Sequence, residues 1–417
     1  MNNRGIDLVV RNALVWGERA PRDYAFASGR YVALGEDSEL SKVRSIDAKG
    51  KLAIPGFVEP HIHLDKALIN EDVRVNVSGT LDEAIEIIWD RKRRYTVEDI
   101  VGRAGRVIES AVSNGVTRMR SHVDVDTIGG LMPLKGVLEA KRRYADIIDI
   151  ETVAFPQEGI LKNPGAEKLL LQAMEMGADV VGGMPFNEAS PDDSREHICI
   201  AFDIAQKHDA DVDMHVDETD DPSARTLEML ARETIARNWH GRVTAGHTCA
   251  LAAYPDDYAD QVIALVREAG INMIMNPATN LMLQGRLDRQ PKRRGITRVK
   301  ELMAAGVNVS FGQDCVKDTF YPFGRADLLE VSLIAAHAAH LSQPHEIEEA
   351  FAMPTRNAAK LLRLADYGTA PGNLGDMVIL DATSPADAIT RQADRVCVIK
   401  RGRVVAETVT DRRVHRA

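Results

Sequence analysis

The middle of the chain alternates between two hydrophobic patterns. From about residue 56 to residue 365, segments with the apolar spacing of helices alternate with short apolar runs that end in polar or charged residues. The eight apolar runs cover residues 53–58, 117–123, 148–154, 179–183, 211–215, 242–246, 271–275 and 307–311. Strands separated by helices favour a parallel sheet, and eight strands close a (β/α)8 barrel. We therefore predict an α/β protein with a barrel over residues 56–365.

Both ends of the chain have the pattern of short β-strands. β-Branched and aromatic residues alternate there with polar ones, and Gly or Asp marks the breaks. The predicted strands cover residues 6–16, 24–27, 30–34, 376–380 and 396–405. Two β segments that flank a barrel most economically pair with each other. We predict one small β-sandwich domain formed by residues 1–55 and 366–417.

Charge and composition exclude two classes of partner. Lys and Arg total 52 against 62 Asp and Glu, a net charge of −10, whereas nucleic-acid binding needs a basic face. No stretch approaches the roughly 18 uninterrupted apolar residues of a membrane span. Residues 1–7 lack the apolar core of an export signal, and the four cysteines have no CxxC spacing. We expect a cytoplasmic protein that binds neither nucleic acid nor membranes.

Residues of the kind that bind metals lie at the ends of the predicted strands. His61 and His63 follow the first barrel strand, and residues two apart on an extended backbone point to the same side. The other such residues at strand ends are His122, His215, His247 and Asp314. In a barrel these ends meet on one rim, where active sites form. An HxH pair with a third His and one Asp suits a mononuclear Zn²⁺ or Fe²⁺ site.

Two further polar residues are candidates for chemistry at that rim. Glu218 follows His215 on the same loop, where a carboxylate can reach a metal-bound water and shuttle protons. The alternative for Glu218 is a surface carboxylate in an acidic loop. Gln157 follows the third barrel strand, and its amide offers one donor and one acceptor to an adjacent N and C=O of a heterocycle.

Signatures of several other enzyme classes are missing from the sequence. There is no GxGxxG after a strand, no P-loop, no GxSxG elbow and no HExxH. Hydride transfer, P-loop phosphoryl transfer and serine acyl chemistry therefore lack their usual motifs. No Lys ends the fourth barrel strand, where a carboxylated lysine could bridge two metals, so one metal is favoured over two.

Several longer segments complete the pattern of motifs. They are PGFVEPHIHLD at 55–65, AFPQEGIL at 154–161, HVDE at 215–218, GHT at 246–248 and PKRRGITRVKE at 291–301. With these segments the chain resembles the amidohydrolase superfamily, and within it the cytosine deaminase branch, along nearly its whole length. The HxH pair alone marks the superfamily, whereas FPQEG and PKRRG are specific to the branch.

The resemblance implies a role for each candidate residue. The implied metal ligands are His61, His63, His215 and Asp314. His247 is implied to hydrogen-bond the metal-bound water, Glu218 to shuttle protons, and Gln157 to bind the amide edge of the substrate. The family also implies one Fe²⁺ or Zn²⁺ ion, a small N-heterocyclic substrate and a homo-oligomer.

The segment after the eighth strand departs from the family pattern. Cytosine deaminases have His-Asp-Asp there, followed by a Trp that packs on the pyrimidine. This chain keeps Asp314 but has Cys315 in place of the second Asp, and Phe320 in place of the Trp. We expect Cys315 and Phe320 to contact the substrate. A smaller, less polar contact at these positions favours a larger or differently substituted ring.

We predict hydrolytic deamination of an amino-substituted N-heterocycle, cytosine or a related pyrimidine, with release of ammonia. A metal lowers the pKa of its bound water from about 15.7 toward ~7. Asp314 then takes the proton as the resulting hydroxide attacks the ring carbon that carries the amine. Glu218 protonates the adjacent ring nitrogen, and His247 helps hold the developing oxygen charge.

Three alternatives remain open from the sequence. The nearest is a sibling aminohydrolase that acts on a pterin, isoguanine, creatinine or amino-triazine ring. The second is a cyclic-amide hydrolase on the same fold, which opens a ring and releases no ammonia. The third is a metal-free binding or scaffold protein that keeps the barrel, although all four metal ligands are present.

Overall fold

The computed structural model describes residues 5–34, 40 and 42–415, so residues 1–4 of the segment tested for an export signal lie outside it. The strands are β1 (Leu8–Val15), β2 (Arg22–Ala27), β3 (Arg30–Val32), β4 (Arg44–Asp47), β5 (Leu52–Ile54), β6 (Phe57–Ile62), β7 (Val116–Asp124), β8 (Asp149–Phe155), β9 (Val180–Gly183), β10 (Asp211–Val216), β11 (Val243–His247), β12 (Asn272–Met275), β13 (Val309–Phe311), β14 (Met377–Leu380), β15 (Arg395–Lys400) and β16 (Arg403–Glu407). The helices are α1 (Leu81–Lys92), α2 (Val97–Ser113), α3 (Met132–Arg143), α4 (Ala166–Met176), α5 (Pro191–His208), α6 (Thr226–Ala236), α7 (Asp256–Ala269), α8 (Pro277–Leu283), α9 (Val299–Ala304), α10 (Leu328–Ala338), α11 (Pro344–Ala352), α12 (Ala358–Leu361) and α13 (Pro385–Arg391).

The barrel consists of β6 to β13, paired in chain order and parallel throughout. Its first and last strands meet through a bridge between Ile62 and Asp314. There Asp314 N donates to His61 O (2.8 Å), and His63 N donates to Asp314 O (3.1 Å). The predicted (β/α)8 fold is confirmed, and the barrel closes at the rim position of the predicted metal ligands.

Helix α2 illustrates how the sequence builds the outer layer of the barrel. Thr96 caps it by accepting a hydrogen bond from Asp99 N (3.2 Å). Its apolar residues recur at helical spacing, and Ile100, Ala104 and Ile108 are fully buried. Burying an Ile side chain contributes about 1.5–3 kcal/mol.

Within the described part of the chain, no helix is long and apolar enough to cross a membrane.

The predicted first barrel strand, 53–58, is wrong in one respect. The structure divides it into β5, which pairs with β1 and β14 in another sheet, and β6, which starts the barrel. Pro55 has no N–H for a strand ladder, and Gly56 has φ +112. A side chain at Gly56 would clash with Thr117, so only glycine fits this turn between the two sheets.

The remaining strands form a separate sheet from both ends of the chain, as predicted. Its order is β16-β15-β14-β5-β1-β2-β3, and β4 pairs with β1. The predicted single run 396–405 is instead a hairpin of β15 and β16. The two residues between these strands, Arg401 and Gly402, both have positive φ, as a two-residue hairpin turn requires.

A buried lysine connects this sheet to the barrel. Lys400 Nζ donates to Thr117 O (2.9 Å), Asp149 Oδ2 (2.8 Å) and Asp376 Oδ2 (2.7 Å). Thr117 and Asp149 lie at the beginning of barrel strands β7 and β8, away from the rim where the strands end. The charge of Lys400 is therefore satisfied at the face of the barrel opposite the predicted site.

Candidate active site

Three histidines and one aspartate meet at the point where the barrel closes. His61 and His63 come from the end of β6, His215 from β10 and Asp314 from just after β13, and all four are buried. His63 Nε2 lies 3.2 Å from His215 Nε2 and 3.3 Å from Asp314 Oδ1. His61 Nε2 lies 3.5 Å from the same Asp314 oxygen. Residues predicted from separate strands thus converge at one place.

These donors fit a divalent metal ion. Both ring nitrogens of His61, and Asp314 Oδ2, are buried and have no hydrogen-bond partner in the part of the chain that the structure describes. An ion with four ligands at about 2.1 Å separates neighbouring ligand atoms by about 3.4 Å, close to the distances observed here. Burial lowers the pKa of His63 to about 4 and that of His61 and His215 well below the ordinary value. The imidazoles are therefore neutral, the form that binds metals.

His247 is a geometric alternative to His63, because the donor atoms of His61, His215, His247 and Asp314 lie within 4.8 Å of one another. Both nitrogens of His247 are already engaged, however. Nδ1 lies 3.1 Å from Glu218 Oε1, and Nε2 lies 3.1 Å from Asn276 Nδ2. Burial lowers the pKa of His247, but the Glu218 and Asp314 carboxylates outweigh it and hold the pKa above its ordinary value. We therefore favour His63 as the ligand.

Glu218 is a buried residue of the site and not a surface carboxylate, since only 4% of it is exposed. Its neighbour Asp217 has φ +46 and turns away to accept hydrogen bonds from Thr226 N (3.0 Å) and Leu227 N (3.0 Å) at the start of α6. This arrangement directs Glu218 toward His247, and Asn280 Nδ2 also donates to Glu218 Oε1 (3.2 Å).

A small cavity brings the predicted chemical groups together. Its lining consists of His63, Lys66, Leu81, Gln157, Met184, His215, Glu218, His247, Thr279, Asp314, Cys315 and Phe320. Every predicted catalytic and substrate-binding residue belongs to this set. His61 lies outside the lining and is fully buried. His122, which also marks a strand end, packs against His61 with ring centroids 4.0 Å apart and lies outside the lining.

The loop after β13 places the two residues that depart from the family pattern. Asp318 Oδ1 accepts hydrogen bonds from Phe320 N (2.9 Å) and Tyr321 N (3.0 Å), which fixes the turn that carries Phe320. Cys315 is buried, and burial raises the pKa of its thiol well above the ordinary value. Cys315 therefore offers the cavity a neutral thiol, and Phe320 offers an aromatic ring.

Sequence reasoning missed four polar residues of this region. Asn276 and Asn280 contact His247, Lys66 lines the cavity, and Asp124 pairs with Lys66. A signal existed for the two asparagines, because they follow the seventh barrel strand four residues apart, a spacing that places both on one side of a helix. Lys66 follows the HxH pair by three residues, and no charge pattern in the sequence marks it.

Comparison with known proteins agrees with this geometry. The family model described as "Amidohydrolase family" matches residues 72–406. The chain belongs to the amidohydrolase family. It is 29% identical over 415 residues to N-isopropylammelide isopropyl amidohydrolase of Pseudomonas sp. (strain ADP), covering 97% of this chain and 98% of that protein. It is 31% identical over 381 residues to the pterin deaminase of Rhizobium rhizogenes, covering 90% and 85%.

A solved structure supports the resemblance to the cytosine deaminase branch. The 5-methylcytosine deaminase of Klebsiella pneumoniae, crystallised with 5-fluorocytosine, superposes on this amidohydrolase with a TM-score of 0.93. The two sequences are 39% identical, and the alignment covers 98% of this chain and 99% of the other. The resemblance inferred from the sequence motifs is confirmed.

Proposed function

We propose that this amidohydrolase catalyses the metal-dependent hydrolytic deamination of an aminopyrimidine, with cytosines that carry a 5-substituent as the preferred class. The observation that carries the proposal is the position of the Glu218–His247 pair beside the His and Asp donor set in one small cavity. The relative with 39% identity acts on 5-methylcytosine. Cys315 and Phe320, where cytosine deaminases have Asp and Trp, leave a less polar contact for a substituted ring.

The proposed metal ligands are His61, His63, His215 and Asp314, with Zn²⁺ or Fe²⁺ as the ion. A divalent ion held there supplies an activated water as the nucleophile. The protein contributes a buried site, in which its charged groups act at a lower effective dielectric constant than in water.

The protein's own residues then move the protons. The Glu218 carboxylate, beside His247, takes one proton from the attacking water and gives it to the ring nitrogen beside the amine-bearing carbon. Asp314 Oδ2, which has no hydrogen-bond partner among the described residues, then accepts the remaining hydroxyl proton. The C–N bond breaks as Asp314 passes its proton to the departing amine, which leaves as ammonia. The ring keeps a C=O and an N–H, and both carboxylates return to their starting state.

Ammonia release across a panel of rings tests the proposal. The panel contains cytosine, 5-methylcytosine, 5-fluorocytosine, isocytosine, isoguanine, creatinine and pterin, each with Zn²⁺- or Fe²⁺-loaded enzyme. We expect the highest kcat/KM among the cytosines. A higher kcat/KM for a ring outside the pyrimidines would contradict the proposed substrate class, and ring opening without ammonia would contradict the reaction.

A second candidate substrate is an N-alkylated amino-triazine. The observation in its favour is the 29% identity, over nearly the full length of both chains, to N-isopropylammelide isopropyl amidohydrolase. The same panel should therefore include N-isopropylammelide, with isopropylamine measured in place of ammonia. A kcat/KM above that of the cytosines would select this alternative.

We infer that the protein acts in the cytoplasm, that it forms a homo-oligomer, and that residues 1–55 with 366–417 form one domain beside the barrel of 56–365. The two chain ends do share one sheet, in which β14 pairs with β5. Light scattering after size-exclusion chromatography tests the oligomer, and limited proteolysis tests the domain boundaries.

A further inference from the structure

A buried lysine lies beside the proposed substrate site. Only 1% of Lys66 is exposed, and its ammonium lies 5.4 Å from the ring centroids of both Phe155 and Phe320. Its Nζ donates to Asp124 Oδ1 (2.9 Å) and, through a short contact, to Gln157 Oε1. Lysine is almost never fully buried unless it is paired, so this position calls for an explanation.

The surroundings of Lys66 hold its charge and its position. Asp124 lies between two lysines, since its other oxygen is 2.8 Å from Lys92 Nζ on α1. Burial lowers the pKa of Lys66, but the Asp124 and Asp65 carboxylates outweigh it and hold the pKa above its ordinary value. Arg103 donates to the carbonyl oxygens on either side of Lys66, at Asp65 (2.8 Å) and Ala67 (2.7 Å). Lys66 is thus a fixed ammonium, which can only donate hydrogen bonds.

This fixed donor determines how Gln157 faces the cavity. Because Lys66 cannot accept a hydrogen bond, the oxygen of the Gln157 amide must face it, and the amide nitrogen must face the other way. Gln157 Nε2 is buried and has no hydrogen-bond partner within the described ranges of the chain, although the residue lines the cavity. Asn187 Nδ2 also donates to the backbone oxygen of Gln157 (2.7 Å), which holds the main chain in place. A buried N–H without a partner costs free energy, so the site should bind more tightly a substrate that accepts a hydrogen bond from this N–H.

We propose that Lys66 is a positioning residue that holds the Gln157 amide with its N–H group toward the cavity, so that the site selects rings with a carbonyl oxygen at that edge. This inference rests on the proposed function and deepens it. It also modifies the expectation that Gln157 offers the substrate a donor and an acceptor, because Lys66 occupies the acceptor.

Two substrates that differ in one carbonyl group test the proposal. Cytosine has a carbonyl at C2, and 4-aminopyrimidine is the same ring without it. The quantity measured is the ratio of their kcat/KM values, cytosine over 4-aminopyrimidine, in the Zn²⁺-loaded full chain. Because each ring has the same intrinsic reactivity in every variant, a change in this ratio reports a change in the site. We expect Lys66→Met to lower this ratio about tenfold or more. We expect the loss mainly in KM for cytosine, with little change for 4-aminopyrimidine.

Three other variants test whether a lower ratio comes from the orientation of the Gln157 amide or only from lost stability. Lys66→Arg keeps a donor-only cation and should restore part of the ratio. Gln157→Glu keeps an oxygen for Lys66 but has no N–H, so it should lower the ratio as Lys66→Met does. Lys400→Met is the matched control, because Lys400 is equally buried and paired with two aspartates on the opposite face of the barrel. It should lower the melting temperature and leave the ratio unchanged.

A Lys66→Met enzyme that loses stability but keeps the wild-type ratio within about twofold, as Lys400→Met does, would overturn the positioning role. If Lys66→Met does not fold, Asp124→Asn must produce the same selective loss, and an unchanged ratio there overturns the role equally. If the wild-type protein deaminates none of the rings, the proposed function fails. Calorimetric titration of pyrimidin-2-one and pyrimidine then still tests the positioning role of Lys66. The wild type should bind pyrimidin-2-one, which has the carbonyl group, more tightly than pyrimidine, and Lys66→Met should not.

Discussion

Glu218 Oε1 lies 3.1 Å from His247 Nδ1, and both side chains are buried at the ends of the neighbouring strands β10 and β11. Asn280 lies within hydrogen-bond distance of both, at 3.2 Å from Glu218 Oε1 and 2.9 Å from His247 Nδ1. The carboxylate therefore has a fixed orientation before any substrate binds. Such preorganisation is what a proton shuttle in a buried site requires.

We expect Glu218→Gln to lower kcat by about 10²–10⁴-fold while the metal content stays unchanged. The amide keeps the volume and the contact with His247, but it cannot give a proton to the ring nitrogen. Steady-state ammonia release, with elemental analysis of the same sample, measures both quantities. Asp221→Asn is the matched control, since Asp221 is an exposed carboxylate on the same loop. If kcat survived in Glu218→Gln, the shuttle would be a different residue.

Metal content separates the two possible sets of ligands. We expect His63→Ala to lose its metal on dialysis, and His247→Asn to retain about one ion per chain while losing activity. The reason is that His247 has both nitrogens engaged by Glu218 and Asn276, whereas His63 Nε2 faces His215 and Asp314. Metal retained by His63→Ala and lost by His247→Asn would show that His247 is the ligand.

The sequence predicted the barrel and most of the site because each rests on a local pattern. Histidines at strand ends can be assigned to one rim once eight strands and their parallel order are recognised, since closure brings all their ends together. His61, His215 and Asp314 come from strands far apart in the chain and still meet as predicted.

The features that the sequence did not predict depend on contacts between distant segments. The role of Lys66 depends on its contacts with Asp124 and Gln157, which lie 58 and 91 residues further along the chain. The division at Pro55 and Gly56 depends on which sheet each half joins, and the apolar pattern of 53–58 is the same for both. Burial of Glu218 depends on the turn at Asp217, which only the start of α6 explains.

Substitution of Cys315 tests the proposed preference for a substituted ring. We expect Cys315→Asp to lower kcat/KM for 5-methylcytosine relative to cytosine about tenfold or more, because a larger, charged side chain disfavours an apolar group in a confined site. Cys397→Ser serves as a control, since Cys397 is also buried but lies in the terminal sheet. An unchanged ratio in Cys315→Asp would mean that Cys315 does not contact the ring at this position.

We expect the stability of the protein at acidic pH to depend on His197. His197 is buried, Nδ1 lies 2.7 Å from Glu188 Oε1, and Nε2 accepts a hydrogen bond from Met184 N (3.1 Å). Burial lowers the pKa of His197 despite the opposing effect of Glu188. The unfolded chain, with a pKa near 6.5, therefore binds a proton more readily than the folded protein. The stability that His197 contributes is complete above pH 6.5 and is lost as the pH falls toward the lower folded pKa.

We therefore expect the free energy of unfolding to decrease between pH 7.5 and pH 5.5, and to decrease less in His197→Asn. Asparagine can still donate to Glu188 and accept from Met184, but it does not titrate. The difference between the two proteins should not exceed about 1.4 kcal/mol per pH unit. Urea unfolding at several pH values measures it, with His345→Asn as the control because His345 is exposed. Equal pH dependence of wild type and His197→Asn would show that His197 does not resist protonation in the folded state.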